Sequence, residues 1–385
     1  MSSDEVRDRA FDAVVLGAGP SGSAASAELA RRGLRTALVG RSDEQRPNIG
    51  ECLPPGIRTQ LEKAGVWEEF LRAGHTPSAG IRSVWGSPEP ADRDFLLSPY
   101  GAGWHIDRAR FDAMMRDSAR RSGAEWLECL ALRDVERMPE GWRIKLAAGS
   151  GEYCIDAPMV VDATGRASVF ARRAGAKRSS LDRLTGAAGY FSFHDVPSSI
   201  EPVLLVEAVA DGWWYTAPLP EGKLIAVFMT DADFVQSQRL TQVDQWMAQL
   251  VSTVQTKRRI EEHGLKLEGG IRIVPAESSF LDRIAGDGWI AAGDAAAAYD
   301  PLSSQGIIAA VSSGLDAAET AASWLSGDEH APVAYADRVR RGYAEYLAHR
   351  SVYYGIERRW SEHSFWKTRH APPSALSAKG KAVSA

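Results

Sequence analysis

Three glycines near the start of the chain, Gly17, Gly19 and Gly22, have the spacing G-x-G-x-x-G and enclose Pro20 and Ser21. They follow an apolar run and precede a helical pattern. In that setting the first glycine permits a tight turn, the second lets the backbone approach a pyrophosphate, and the third lets helix and strand pack closely. The free N–H groups and positive dipole end of the helix favour an anion. These five residues therefore predict a dinucleotide-binding site.

A second group of chemistry-bearing residues lies far along the chain, in the stretch GDAAAAYDPLSSQG. One carboxylate ends an apolar run, and a proline turn follows just before another helical pattern. Proline cannot donate an N–H and fixes its own φ, whereas the residues after it have free N–H groups at the helix start. This pattern indicates either a turn that faces a ligand or an ordinary helix N-cap. The residues concerned are Gly293, Asp294, Pro301, Ser304, Gln305, Gly306 and Ile307.

The composition argues against several classes of function. The chain has 385 residues, a formal net charge of −5 and 44% hydrophobic residues, enough for one large domain or two interleaved ones. We find no basic block typical of nucleic-acid binding, no apolar run as long as a membrane span and no signal-peptide layout. The 3 cysteines are scattered, and the histidines lack metal-ligand spacing. We therefore expect a cytoplasmic protein without a metal site.

The glycine motif requires elements that hold it in place. Residues 12–17 have the apolar, β-branched pattern of a buried strand, residues 20–33 that of a helix, and residues 35–40 that of a second strand. This order predicts a β-α-β unit and a parallel sheet. Between about residues 185 and 274 the pattern changes to antiparallel strands with one helix at 241–254, which predicts a second, sheet-rich lobe.

Four motifs together resemble one family. They are WIAAGDAAAAYDPLSSQG, HIDRARFDAMM, VVDATGRAS and GECLPP. Over nearly its whole length the chain resembles halogenase-like FAD monooxygenases. The resemblance is greatest to the branch that matures quinone-cofactor amine oxidases and dehydrogenases by oxidising a tryptophan in a partner polypeptide. The cofactor that this resemblance implies is FAD.

The resemblance also implies a fold. It is a mixed α/β fold in which a Rossmann-like FAD-binding domain, of the FAD hydroxylase or glutathione reductase type, is interleaved with a mostly antiparallel β-sheet substrate domain. The expected bounds are 1–75, 101–180 and 280–350 for the FAD-binding domain, 76–100 and 181–279 for the substrate domain, 351–370 for a C-terminal helical segment and 371–385 for a disordered tail.

The same resemblance assigns roles around the flavin. Asp294 corresponds to the acid that binds a ribityl hydroxyl, and Pro301 is expected above the reacting edge of the flavin. Arg108, at a helix start, is the arginine expected to contact FAD. The implied cofactor site comprises Gly17, Gly19, Pro20, Ser21, Gly22, Arg41, Glu51, Cys52, Arg108, Asp162, Gly165, Gly293, Asp294, Pro301, Ser304, Gln305, Gly306 and Ile307.

One part of the dinucleotide pattern is missing. About twenty residues after the glycines, an acid should end the second strand and bind the adenosine ribose. Gly40 occupies that place and Arg41 follows it. We expect Arg41 either to reach a phosphate, to stack on adenine or to be a solvated loop residue. Asp43 and Glu44 are alternatives for the absent acid.

Three residues outside the glycine motifs could take part in proton transfer or bind flavin. Glu51 is either a general base or a hydrogen-bond anchor for its loop. Cys52 is either reactive, even flavin-linked, or a small buried thiol. His105 is either an acid–base residue or a packed, hydrogen-bonded histidine. With Pro301, Glu51 and His105 form our set of catalytic candidates.

Trp213, Trp214 and Tyr215 are the substrate candidates. Side chains alternate along a strand, so either Trp213 and Tyr215 or Trp214 alone should face the substrate. Halogenases carry W-x-W-x-I-P, but here Tyr215 replaces the second tryptophan and Ala217 the isoleucine. They also relay hypohalous acid through a lysine, and in the corresponding region only Lys63 is present, in a helical surface pattern. Both departures argue against halogenation.

The resemblance therefore implies an FAD monooxygenase that hydroxylates an indole-like ring through a flavin C4a-hydroperoxide. The substrate is either a small aromatic molecule or a tryptophan in a partner protein or peptide. Electrons would come from NAD(P)H or a partner flavin reductase, since no second glycine motif encodes a further nucleotide domain. The alternatives are a reductase similar to the geranylgeranyl reductases, which carry a cysteine in the loop of Cys52, a halogenase, or a non-catalytic flavoprotein.

Overall fold

The protein is described by a computed structural model for residues 8–41, 49–149, 151–193 and 200–371. Within these ranges the strands form five sheets, and the helices pack on and between them. The mixed α/β fold with two interleaved lobes, predicted from the sequence, is confirmed.

A six-stranded sheet forms the centre of the first lobe. Its core strands are parallel to one another and short, and the first of them, Ala13–Leu16, is buried along its whole length. Valine, leucine and alanine fill these strands because helices and a further sheet cover both faces. In spatial order the strands are Ala285–Gly286, Trp289–Ala291, Met159–Asp162, Ala13–Leu16, Thr36–Gly40 and Glu125–Glu128.

A seven-stranded sheet forms the second lobe. All neighbouring strands are antiparallel except Val203–Val209 and Gly80–Val84, which pair in parallel. The two faces of this sheet belong to two separate hydrophobic clusters. The strands, in spatial order, are Leu265–Pro275, Leu184–Phe193, Lys223–Asp231, Gly212–Leu219, Val203–Val209, Gly80–Val84 and Ala91–Asp94.

Three smaller sheets complete the strand content of the described residues. One comprises Asp8–Ala10, Gly151–Ala157, Gly141–Ala148 and Ala131–Met138, the second Arg178–Ser180, Ser279–Leu281 and Ala297–Ala298, and the third Cys52–Leu53, Gly103–His105 and Thr76–Ser78. The helices are Pro20–Arg31, Ile57–Lys63, Trp67–Arg72, Arg108–Arg121, Val169–Arg173, Ala232–Ser237, Val243–Leu250, Gln255–Glu262, Gly306–Leu325, Ala331–Ile356 and Ser364–His370.

Two expectations about helices need correction. The helix expected at 241–254 is present but shorter, Val243–Leu250, and it is accompanied by two further short helices, Ala232–Ser237 and Gln255–Glu262. The boundary expected at residue 350 falls inside one continuous helix, Ala331–Ile356.

The remaining domain bounds stay a prediction, and residues 372–385 of the expected tail lie outside the described ranges.

Among the helices that are described, none combines the length and apolar character needed to cross a membrane.

Candidate functional site

A cavity of about 590 Å³ lies where the two lobes meet. On one side it is bounded by residues just after the carboxyl ends of the parallel strands, such as Gly19, Ala163 and Ala292. On the other side it is bounded by one face of the seven-stranded sheet. Ligands of open parallel sheets bind outside the carboxyl ends of the strands, so this cavity has the position expected of an active site.

The glycine motif lines the cavity through Gly19, Pro20 and Ser21. Gly17 has φ of +106°, and a Cβ on Gly22 would lie 1.8 Å from the Gly17 carbonyl oxygen, so both positions require glycine. A Cβ on Gly19 would meet nothing within 4 Å. Gly17 and Gly22 therefore shape the turn, and Gly19 leaves room for a ligand.

Two helices begin at the cavity without a side-chain cap: Pro20–Arg31 and Gly306–Leu325. By contrast, the helix Arg108–Arg121 is capped by Asp107, whose carboxylate accepts a hydrogen bond from the Arg110 N–H at 3.0 Å. The first N–H groups of the two uncapped helices are thus free to bind a ligand, and their dipoles favour negative charge there.

The two motifs pack directly on each other. A Cβ on Gly293 would lie 2.8 Å from the Ser21 Cβ, and a Cβ on Gly314 would lie 2.2 Å from the Ser21 carbonyl oxygen. Gly314, in the middle of a helix, was missed by the sequence analysis because its spacing matches no short motif. It brings the helix of the second motif against the helix of the first, so the two uncapped ends share one cavity.

Asp294 lines the cavity and lies 3.6 Å from the Arg166 guanidinium, measured from Oδ2 to Nε. Burial raises the pKa of the Asp294 carboxyl, although Arg166 and Arg178 act in the opposite direction. Arg166 also lines the cavity and donates to the Tyr299 carbonyl oxygen at 3.2 Å. The sequence analysis missed Arg166, whose only signal was its place inside the DATGRAS motif.

Asp162 does not line the cavity, which corrects its assignment to the cofactor. Its Oδ1 accepts from the Thr164 N–H at 3.0 Å and the Thr164 hydroxyl at 2.6 Å, and its Oδ2 accepts from the Ala171 N–H at 2.7 Å. Burial raises the pKa of this carboxyl, while these hydrogen bonds lower it. Asp162 instead holds the turn that presents Gly165 to the cavity.

The proline turn of the second motif faces the cavity through Pro301, Ser304, Gly306 and Ile307. Ser304 has φ of +51°, in the left-handed region. Gln305, expected among the cofactor ligands, is exposed and lies outside the cavity lining, because the chain turns at Ser304.

Glu51 is buried in the wall of the cavity, in a loop held by Arg108. Arg108 donates to the Ile49 carbonyl oxygen and pairs with Asp112 at 3.2 Å. The Oε2 of Glu51 accepts from the Gly50 N–H at 3.0 Å and from the Tyr215 hydroxyl at 3.4 Å.

The pKa of Glu51 is raised to about 6 because the carboxyl is buried. Its Oε1 has no hydrogen-bond partner within the described ranges of the chain. A buried carboxylate oxygen without a partner is costly, so a group from a ligand would stabilise it. Of the two roles left open by the sequence, the anchor role is served by Oε2, and Oε1 is left open to a ligand.

Cys52 lines the cavity, whereas His105 lies behind it and outside the lining. The Cys52 Sγ is 3.4 Å from the His105 Nδ1. Burial raises the pKa of the Cys52 thiol and lowers that of His105 to about 4, so both groups are neutral near pH 7. His105 is thus packed against the Cys52 strand and outside the cavity lining, and its catalytic role stays a prediction.

Trp213 and Tyr215 line the cavity, and Trp214 does not. Trp214 points to the opposite face of the sheet, where it stacks on Phe228 at 4.9 Å and meets Trp246 edge-on at 5.0 Å between ring centroids. The inclusion of Trp214 among the substrate residues is thereby corrected, and the alternation left open by the sequence is decided for Trp213 and Tyr215.

The expected ribose acid is absent for a steric reason. A Cβ on Gly40 would lie 2.6 Å from the Ala18 Cβ and 2.8 Å from the Trp126 ring, so no larger residue fits there. Arg41 is exposed and lies outside the cavity lining, and its contact with the cofactor stays a prediction. Asp43 and Glu44 lie outside the described residues.

The described part of the cavity lining holds no lysine, and the described residues form no group of three or more His, Cys, Asp or Glu side chains that could hold a metal ion. Lys63 ends the helix Ile57–Lys63 with an exposed side chain.

Comparisons with known proteins identify the relatives of this fold. The family model described as an FAD binding domain matches residues 10–340. Among curated proteins, the chain is 28% identical to the FAD-dependent oxidoreductase LodB of Marinomonas mediterranea, covering 94% of this chain and 97% of LodB. It is 27% identical to a tryptophan 2-halogenase of Chondromyces crocatus, covering 82% of this chain and 62% of that enzyme.

Two solved structures are similar over most of the chain. The myxobacterial chondrochloren halogenase CndH superimposes with a TM-score of 0.85 at 26% identity, covering 97% of this chain and 88% of that one. The peptidyl tryptophan dihydroxylase QhpG, described as essential for tryptophylquinone cofactor biogenesis, superimposes with a TM-score of 0.70 at 24% identity, covering 94% and 79%.

The cavity fits FAD by its own geometry. A Cβ on Gly19 or on Gly306 would meet no atom within 4 Å, so both glycines border open space. The two helices that reach the cavity without a side-chain cap begin at these glycines. A phosphate-bearing, elongated cofactor would occupy both places at once.

Proposed function

We propose a function from one premise: the chain belongs to the FAD binding domain family and is a halogenase-like FAD-dependent oxidoreductase. The proposed activity is hydroxylation of an electron-rich, indole-like ring, either in a small molecule or as a tryptophan of a partner polypeptide. The observation that carries the proposal is the shared cavity, in which Trp213, Tyr215 and Glu51 face residues of the glycine motif and of the second motif at 293–307.

The residues that would hold FAD follow from the lining of the cavity. Gly19 and Ser21 would contact the pyrophosphate, Asp294 a ribityl hydroxyl, and Gly306 the pyrimidine edge. When bound and reduced, FAD supplies two electrons to O₂, so that one oxygen atom enters the substrate and the other leaves as water. The electrons would come from NAD(P)H or a partner flavin reductase.

The walls of the cavity orient the substrate ring. Trp213 and Tyr215 offer aromatic faces, and Leu204, Val206 and Met229 from the neighbouring strands add apolar surface. Flat aromatic groups pack well against such walls, and the apolar surface excludes water from the reacting atoms. Pro301 contributes a rigid turn without an N–H at the other side of the ring.

Glu51 is the proposed proton acceptor. A hydroxylated ring carbon must lose its proton to restore aromaticity, and the unpartnered Oε1 is available to take it. With a pKa of about 6, the carboxyl is ionised above that pH and accepts a proton at neutral pH. Gly50 and Tyr215, which donate to Oε2, hold the group in place.

Halogenation is the second candidate, because several curated relatives are halogenases. The absence of a lysine from the described lining of the cavity argues against it. If the chain were a halogenase that uses Lys63, Lys63→Ala would abolish turnover. If it is a hydroxylase, this exposed substitution leaves turnover unchanged and serves as a control.

The test is oxygen transfer under defined conditions. Purified protein loaded with FAD is reduced without air, then mixed with isotopically labelled O₂, bromide and either indole or a tryptophan-containing peptide. Mass spectrometry should find the labelled oxygen atom in the product of one of these probes, and Glu51→Gln should slow its formation about 100-fold. A brominated product would support the halogenase, and flavin reoxidation without any product from either probe would contradict the hydroxylase.

A further inference from the structure

We infer that Tyr354 is a positioning residue that couples the aromatic wall of the cavity to the turn at residues 300–304. The inference rests on the proposed function, since it assumes that this turn contacts FAD. Tyr354 lies on the long helix Ala331–Ile356 and does not line the cavity itself, so it would act only through its neighbours.

A directed chain of hydrogen bonds carries the inference. The Trp213 indole N–H donates to the Tyr354 hydroxyl oxygen at 3.1 Å, and the Tyr354 hydroxyl donates to the Asp300 Oδ2 at 2.8 Å. All three residues are buried, with 1%, 0% and 1% of their surfaces exposed. An indole N–H can only donate, so the Tyr354 oxygen accepts from it and the Tyr354 O–H is left to donate to Asp300. The direction of these hydrogen bonds is therefore fixed, and they strengthen one another.

Asp300, at the end of this series of hydrogen bonds, fixes the turn at residues 300–304. Asp300 Oδ1 accepts from the Leu302 N–H at 2.9 Å, and the Asp300 N–H donates to the Tyr346 hydroxyl at 2.8 Å. Between these bonds stands Pro301, which lines the cavity together with Leu302. The carboxylate that receives the Tyr354 hydroxyl therefore also sets the backbone expected beneath the flavin.

Arg350 locks Tyr354 in this position. Its guanidinium lies 4.7 Å from the centre of the Tyr354 ring, and its Nε is 3.2 Å from the Asp300 Oδ2. The same guanidinium pairs with Asp182 at 2.7 Å. Tyr354 is thus held on its ring face by the guanidinium and at its hydroxyl by Asp300.

This arrangement couples Trp213 to the turn at residues 300–304. A ring that packs on Trp213 would shift or steady the indole, and Tyr354 would transmit the change to Asp300 and the turn. Trp214 provides a matched control, because it is the next residue on the same strand and equally buried, but faces the other side of the sheet.

The experiment measures FAD affinity in the full chain. Apoprotein is titrated with FAD, followed by flavin fluorescence and flavin circular dichroism, for wild type, Trp213→Phe, Tyr354→Phe, the double variant and Trp214→Phe. Trp213→Phe and Tyr354→Phe should each raise the dissociation constant about fivefold to tenfold, the double variant no more than Tyr354→Phe alone, and Trp214→Phe should match wild type.

Other results overturn the inference. Additive effects of the two substitutions on the FAD dissociation constant would mean that Trp213 and Tyr354 act separately. Equal dissociation constants for Trp213→Phe and Trp214→Phe would mean that Trp213 is not coupled to the turn. Thermal unfolding of the apoprotein shows whether Tyr354→Phe folds. If it does not fold, the comparison of Trp213→Phe with Trp214→Phe still tests the inference. A wild-type chain that binds no FAD would contradict the proposed function itself, whereas FAD binding with additive effects contradicts only the coupling.

Discussion

The two faces of the strand Gly212–Leu219 differ in what their tryptophans contact. Trp213 and Trp214 are buried to the same degree, but Trp213 lines the cavity and donates to Tyr354, whereas Trp214 stacks inside a closed cluster. In the described part of the chain the Trp214 indole N–H has no partner. Burial and residue type therefore do not reveal which tryptophan faces the cavity, and the contacts do.

The same contrast recurs in the glycine motif. Gly22 is surrounded by backbone, while Gly19, three residues earlier, opens to empty space. Positions that line the cavity (the cavity face) and positions enclosed by protein atoms (the packed face) thus lie within a few residues of each other. Substitutions on the packed face should change stability, and substitutions on the cavity face should change binding.

The largest expected effect is on the packed face. Trp214→Ala removes a large side chain from a closed cluster and should lower the free energy of unfolding by about 3–5 kcal/mol. Urea unfolding measures this loss, with Trp214→Phe as the milder control. FAD affinity of the folded fraction should stay at the wild-type value, and a parallel loss of affinity would break the comparison.

The next effect concerns the cavity face of the glycine motif. Gly19→Leu should weaken FAD binding about 100-fold, because the new side chain fills the space left for the cofactor. Gly19 has φ of −75°, which any residue adopts, so the apoprotein should keep its stability or gain about 0.5–1 kcal/mol. Gly22→Ala is the opposing control and should destabilise the apoprotein. A Gly19→Leu variant that binds FAD normally would contradict the assignment.

The third prediction concerns the buried Glu51 carboxyl, which should lower the stability of the folded protein as pH rises. The folded-state pKa of Glu51 is about 6, above its ordinary value of 4.5, so the folded protein binds the proton more tightly and loses stability as pH rises between these values. Glu51→Gln removes this loss. Relative to wild type, the apoprotein variant should gain about 2 kcal/mol between pH 4 and pH 8. Denaturant unfolding at several pH values tests the sign, and a difference that does not change with pH would refute the raised pKa.

The smallest effect separates two acids, the partly exposed Asp294 and the buried Asp162. Asp294→Asn should weaken FAD binding about tenfold, because a charge-assisted hydrogen bond becomes a neutral one. Asp162→Asn, at an acid whose oxygens are all used by the fold, should instead lower the melting temperature. Titration with FAD and thermal unfolding of both variants decide between these roles, and an exchange of the two phenotypes would reverse the assignments.

The sequence predicted the parts of the site that depend on local pattern. The turn around Gly17, the strand end at Asp294 and the loop at Glu51 all lie at the cavity, as expected. Each is a short run whose function needs particular residue types at fixed spacing, so the pattern is visible without a structure.

The rest depends on contacts between distant segments. Arg166 reaches Asp294, and Tyr354 reaches Trp213, only after the two lobes have assembled. No spacing rule connects such pairs. For the same reason, the sequence could not show that His105 pairs with Cys52 across two strands and lies outside the cavity lining.

A crystal structure of the chain with FAD bound tests the central claim most directly. The account predicts pyrophosphate density over Gly19 and Ser21, and an isoalloxazine ring between the Pro301 turn and Glu51, with Trp213 and Tyr215 on the open side and Trp214 untouched. A flavin ring that lies outside this cavity, or a cavity filled so that no aromatic ring fits beside Trp213, would contradict the account.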